Sequence, residues 1–247
     1  MRLISNATDG HAAPCSCGFC PSASATGLSR RTVLRTIALG GAAGFAGRLA
    51  TPPAQAQSAL SPDAALDQLM AGNARFAANQ LTSFNEDLEI LKQHTVAKQE
   101  PFAAVLSCAD SRVPVELIFD QSIGHVFVTR IAGNICTPEI IAGLEYGAGV
   151  LGTPAIVVLG HSGCGAVKAT IAAKEVPGQI SALYAPLRPT VDRAGKDLEA
   201  AIRANAQIQA KLLSTASTVI AGLVAQNKLK VVSAYYDLAS GKVSLLS

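Results

Sequence analysis

Two apolar runs that each end in reactive side chains constrain this chain most. "PFAAVLSC" (Pro101–Cys108) and "TPAIVVLGHSGCG" (Thr153–Gly165) are almost unbroken in their apolar stretch. Runs of this kind suit parallel strands covered on both faces. "HVFVTRIAG" reads as a further strand, and "LKVVSAYYDLASGKVSLL" as strand, Ser-Gly turn, strand. Helical spacing separates them in "AALDQLMAGNARFAANQ", in "PEIIAGLEYGAGVLG", over 163–174, and over 197–225 as one long helix. Ser61-Pro62-Asp63 is a helix entry. Strands alternating with helices predict an α/β domain with a mostly parallel central sheet flanked by helices. Ligand sites of such sheets lie at the carboxyl ends of the strands. Both reactive clusters sit there.

The 247 residues are 49% hydrophobic and 15% charged, enough for a proper core. The net charge of +3 misleads, because residues 1–56 hold five arginines against Asp9 and the remainder is close to neutral. A nucleic-acid surface is therefore not indicated. "SRRTVLR" (Ser29–Arg35), the apolar "TIALGGAAGFAG" and the small-residue "AQA" at 54–56 follow in the order of a twin-arginine signal peptide. The apolar part is short for a membrane span. An uncleaved leader or an N-terminal anchor is the alternative. The division expected is a signal peptide over 1–56 and a catalytic domain over 57–247. The mature protein would be periplasmic or extracellular, with the twin-arginine export machinery as a partner and no stable membrane span. Cys15, Cys17 and Cys20 fall in the leader without a fourth metal ligand nearby. Cys108, Cys136 and Cys164 remain, an odd number that argues against a disulfide framework.

"LGHSGCGAVK" places His161 and Cys164 in a His-x-x-Cys spacing, and Cys108 ends a separate strand. Two thiolates, one imidazole and an open fourth position make a catalytic zinc pattern. A helix starting near Gly163 would favour the Cys164 thiolate. Core filling is the bland reading of any one such residue, but two glycine-rich clusters at strand ends resist it. Cys136 lacks that company and reads as a buried, inert thiol. His94 and His125 read as structural or exposed. Asp110 and Arg112, two apart, share one side of an extended segment and can pair. An arginine-held carboxylate stays ionised at neutral pH and can orient a zinc-bound water or hydroxide.

"CADSRVPVE", "RIAGN", "LEYGAGVLG" and "IVVLGHSGCGAVKA", in this order and spacing, resemble the β-class carbonic anhydrases. The resemblance implies that fold, with an antiparallel edge strand at the C-terminal end. It implies one Zn2+ per subunit on Cys108, His161 and Cys164, with Asp110 and Arg112 as the catalytic dyad. It implies reversible hydration of CO2 to bicarbonate and a proton by attack of zinc-bound hydroxide. In some members the aspartate binds zinc in a closed state, which would make Asp110 a gate. Gln99, Phe127 and Tyr146 match the substrate pocket of the plant-type subgroup. The family implies that the glutamine comes from a neighbouring subunit, hence a homodimer or a larger homo-oligomer. Members locked by bicarbonate carry a tryptophan three residues before the first zinc cysteine. Val105 stands there, Arg130 matches the arginine of that trio, and Tyr235 or Tyr236 approximates its tyrosine. The expectation is an enzyme without that lock. Two rivals share the motifs: hydrolysis of carbonyl sulfide or carbon disulfide, and a non-catalytic zinc-binding module.

Overall fold

The computed structural model describes residues 59–83 and 88–247. The expected signal peptide lies outside the described residues. Ser61 caps the first helix, α1 (Pro62–Ala77), by accepting a hydrogen bond from Ala64 N at 3.2 Å, and Pro62 occupies the first turn. Then follow α2 (Leu88–Thr95), β1 (Ala103–Ser107), the short α3 (Val115–Ile118) and β2 (Val126–Arg130). Helix α4 (Pro138–Glu145) runs into a π turn over Tyr146–Val150, and β3 (Ala155–His161) follows. The chain continues with α5 (Gly165–Ala172), α6 (Tyr184–Ala194), α7 (Leu198–Ala216), α8 (Thr218–Ala225), β4 (Lys230–Tyr236) and β5 (Val243–Leu246).

The five strands form one sheet in the order β2-β1-β3-β4-β5. The first four are parallel and β5 runs antiparallel to β4 at the edge. The expected α/β architecture is thus observed. β1 and β3 are buried along their whole length, as their unbroken apolar runs require. Their side chains alternate between two layers. Val105, Val157 and Leu159 face the layer of Leu66, Leu69 and Phe119. Leu106, Ile156 and Val158 face the layer of Leu144, Leu213 and Ile220.

Three details refine or correct the sequence reading. The helix expected over 197–225 is two helices, α7 and α8, bent by 92°. Ser217 takes an extended conformation, caps α8 at Ile220 N (3.0 Å) and donates to Glu145 at 2.6 Å. Helix α5 starts at Gly165 with Cys164 in the capping position, two residues after Gly163. Asp110 and Arg112 lie on a turn closed by Val113 N to Asp110 O, not on an extended segment. No single helix of the described residues is long and apolar enough to cross a membrane.

A staple absent from the sequence reading ties α1 to the end of α3. The Asp120 side chain is fully buried and accepts from Arg75 Nε (2.5 Å), Thr82 Oγ1 (2.9 Å), Ser83 N (2.9 Å) and Ser83 Oγ (2.7 Å). Close approach depends on Gly72, where a Cβ would sit 1.8 Å from the Phe119 carbonyl oxygen.

Candidate metal centre

β1 and β3 are neighbours, with Ser107 opposite Leu159. Cys108 follows the end of β1, His161 ends β3, and Cys164 caps α5. Their ligand atoms lie within 4.8 Å of one another and all three residues are buried. His161 Nδ1 sits 3.0 Å from the Ser162 carbonyl, while Nε2 is buried with no hydrogen-bond partner among the described residues. A buried ring nitrogen left unpaired is costly unless something else fills its lone pair. An imidazole fixed through Nδ1 and free at Nε2 is the usual posture of a metal ligand.

The two sulfurs lie close enough to shift each other's ionisation. Cys108 is lowered to about 4, chiefly because the Cys164 thiol donates to it; burial opposes this, and His161, Gly133 N–H and Asp110 N–H add to the lowering. Cys164 is pushed up by its bond to Cys108 and by burial. One thiolate forms easily, and a second so close needs a cation. Soft sulfur and imidazole donors suit zinc, so the residues present fit that ion.

Beside the cluster, Arg112 grips Asp110 through both carboxylate oxygens. Nε reaches Oδ1 at 2.9 Å, Nη2 reaches Oδ2 at 2.7 Å, and Arg112 N donates to Oδ1 at 3.0 Å. Arg112, and not His161 or another neighbour, is the main reason that Asp110 stays well below the usual carboxylate range. Asp110 Oδ2 is 4.0 Å from His161 Nε2. The structure therefore brings Cys108, Asp110, Arg112, His161 and Cys164 together at one end of the sheet.

Gln99, Phe127 and Tyr146 form a separate group. Phe127 pairs with Ala104, four residues upstream of Cys108, which is about 13 Å along the strand. The Phe127 and Tyr146 rings lie 6.2 Å apart, and Tyr146 is 47% exposed. Gln99 and Tyr146 line one surface cavity of about 480 Å3, with Thr95, Lys98 and Leu151. Within one chain these three residues do not join the cysteine–histidine cluster.

Two contacts at the centre were not legible in the sequence. Arg130 donates to the Cys108 carbonyl (2.9 Å) and to the Asp110 carbonyl (2.5 Å), clipping the loop after β1 to the end of β2. Gly133 N–H donates to Cys108 Sγ at 3.3 Å. The "RIAGN" motif that carries both was visible, but its partners were not. Val105 is fully buried in the core. The Arg203 guanidinium covers the Tyr235 ring at 3.9 Å, and Tyr236 packs against Phe76. Cys136 is buried and pushed up to about 12 by that burial, an inert thiol as expected. His94 and His125 are exposed.

The family model for carbonic anhydrase matches residues 103–243, more than half of the chain. A carbonic anhydrase of Mycolicibacterium smegmatis is 38% identical over 76% of this chain and 94% of its own length. The chain belongs to the β-class carbonic anhydrase family. A second family member, carbonic anhydrase 2 of Mycobacterium tuberculosis, is 33% identical over 75% of this chain and 93% of its own. Among solved structures, a β-carbonic anhydrase of Aspergillus fumigatus superimposes with a TM-score of 0.60 at 26% identity. It covers 74% of this chain and 90% of that one. The tetrameric β-carbonic anhydrases of Sordaria macrospora share the fold, with a TM-score of 0.59 at 24% identity and 74% and 96% coverage. A β-class carbonic anhydrase with this sheet places its cysteines and histidine where the ladder of β1 against β3 brings two strand ends side by side.

Proposed function

We propose that the chain catalyses the reversible hydration of CO2 to bicarbonate and a proton, with one zinc ion per subunit held by Cys108, His161 and Cys164. The observation that carries this reading is the buried, unpartnered His161 Nε2, set between two thiols and beside an arginine-held carboxylate. When bound, zinc lowers the pKa of a coordinated water from 15.7 to about 7 and so supplies hydroxide near neutrality. Arg112 keeps Asp110 ionised, so Asp110 is an acceptor and not a proton donor at pH 7. Its Oδ2 faces the ligand cluster and orients a nucleophile that carries a proton. Gln99 of a second subunit, with Phe127 and Tyr146, supplies an amide and an apolar wall for CO2. That division of labour is supported by the separation of the two groups within one chain. It makes a homodimer or larger homo-oligomer the working unit.

Stopped-flow CO2 hydration with purified, zinc-quantified protein tests the reading. The expected result is one zinc per subunit and proton release far above the buffer background. Zinc without proton release, but with turnover of carbonyl sulfide or carbon disulfide, would reassign the substrate. Zinc with neither activity would make the chain a binding module.

For residues 1–56 we infer a twin-arginine signal peptide and a periplasmic or extracellular mature enzyme over 57–247. The paired arginines, apolar stretch and cleavage site support this. Arg30→Lys combined with Arg31→Lys should retain the uncut precursor inside the cell. Normal export of that double variant would discard the assignment.

A further inference from the structure

Beyond β2 the chain reverses in a four-residue turn. Asn134 N donates to the Ile131 carbonyl at 2.9 Å. Gly133, the third residue, has φ +77°, whereas Ala132 is not left-handed. That combination is a type II turn, which needs glycine at its third position. Relative to type I, the middle peptide is flipped. Here the flip aims the Gly133 N–H at Cys108 Sγ, 3.3 Å away. A type I turn would present the Ala132 carbonyl oxygen to that sulfur instead.

What holds the turn comes from far along the chain. Asn205, on α7 and fully buried, donates Nδ2 to the Gly133 carbonyl at 2.8 Å and to Asn134 Oδ1 at 3.3 Å. Its own Oδ1 accepts from Gln209 Nε2 (3.3 Å) and Thr190 Oγ1 (3.4 Å). Asn205 is thus fixed at both ends of its amide. It grips the carbonyl on one side of Gly133 while the N–H on the other side meets the sulfur. From the opposite direction, Leu187 and Ala166 press so closely that a Cβ at 133 would meet them at 3.1 and 3.3 Å.

We propose that Asn205 is a positioning residue for the metal centre, holding the Ile131–Asn134 turn so that the Gly133 N–H donates to the Cys108 sulfur. Hydrogen bonds to a ligating sulfur draw off charge and tune the metal it holds. The inference rests on the metal reading of the Cys108, His161 and Cys164 cluster.

The test uses the full chain loaded with cobalt or with an NMR-active cadmium isotope. In cadmium-loaded wild type, the Gly133 amide proton should show scalar coupling to the metal through the sulfur. In the cobalt form, Asn205→Asp removes the donor at constant size. It should weaken cobalt affinity about tenfold or more and move the thiolate-to-cobalt charge-transfer band to lower energy. Asn73→Asp is the matched control. Asn73 is also a buried amide donating to two backbone carbonyls, those of Ile118 and Gly241, and it touches neither Gly133 nor Cys108. It should cost stability and leave the band in place. Absent coupling in cadmium-bound wild type, or equal band shifts in both variants, overturns the proposal. If Asn205→Asp does not fold, the wild-type coupling decides alone. Wild type that binds neither metal refutes the metal reading itself, a different outcome.

Discussion

At the scale of single residues, the centre is a set of side chains that each need the others. Ionising both Cys108 and Cys164 is costly without a cation, and the His161 Nε2 lone pair has no hydrogen-bond partner among the described residues. Asp110 is set apart from this group because Arg112 holds both of its carboxylate oxygens. Two variants should therefore separate. Asp110→Ala should keep its zinc and lose activity by between roughly tenfold and a hundredfold, as outer partners of a metal site typically do. Cys164→Ala should lose zinc and activity together. Metal content and CO2 hydration measured on the same samples check this. Loss of zinc from Asp110→Ala would make Asp110 a ligand. Arg112→Lys should resemble Asp110→Ala, because an ammonium cannot hold two carboxylate oxygens in a fixed plane.

At the scale of elements, the strand ends carry the chemistry and the helices hold them in register. The apolar runs of β1 and β3 were legible because a strand buried on both faces needs such a run. The break between α7 and α8 was not, since Ala- and Leu-rich helical spacing continues through Ser217. At the bend Ser217 leaves the helical conformation, caps Ile220 N and donates to Glu145, 72 residues away. The Asp120 staple is equally non-local, and its linkage to pH follows from its surroundings. Burial opposes ionisation of Asp120, but the hydrogen bonds from Ser83, Arg75 and Thr82 outweigh it and lower its pKa. A folded-state pKa below the unfolded value of about 3.9 adds stability at neutral pH that is lost as pH falls below that value. Asp120→Asn should cost about 1–3 kcal/mol at pH 7 and flatten the acid-side decline. Denaturant midpoints of both proteins from neutral to acid pH measure the difference. Parallel declines would show that Asp120 is not the group responsible.

At the scale of the whole molecule, the proposed sharing of a site between subunits rests on two residue groups that lie apart within one chain. Cys108, His161, Cys164, Asp110 and Arg112 form one group, and Gln99, Phe127 and Tyr146 the other. Subunit mixing should reveal the sharing. Asp110→Ala and Gln99→Ala homo-oligomers should each be poorly active. Co-refolded mixtures should recover about a quarter of wild-type activity, because half the pairs are mixed and each mixed pair rebuilds one intact site. No recovery in mixtures shown to exchange subunits would place both halves in a single chain.

The sequence by itself determined the fold class and the cysteine–histidine set that the fold brings together. Both are written in local pattern: burial on two faces dictates apolar runs, and cysteine and histidine directly after such runs stand out against an apolar strand. Tertiary structure alone decided what surrounds that set. Arg130 on the loop carbonyls, Asn205 on the Gly133 turn and Asp120 on Thr82 and Ser83 are hydrogen bonds between segments 20 to 72 residues apart. An arginine or an asparagine has several partners open to it in a chain. Which one it takes depends on the groups that packing brings within about 3 Å, and no local spacing encodes that.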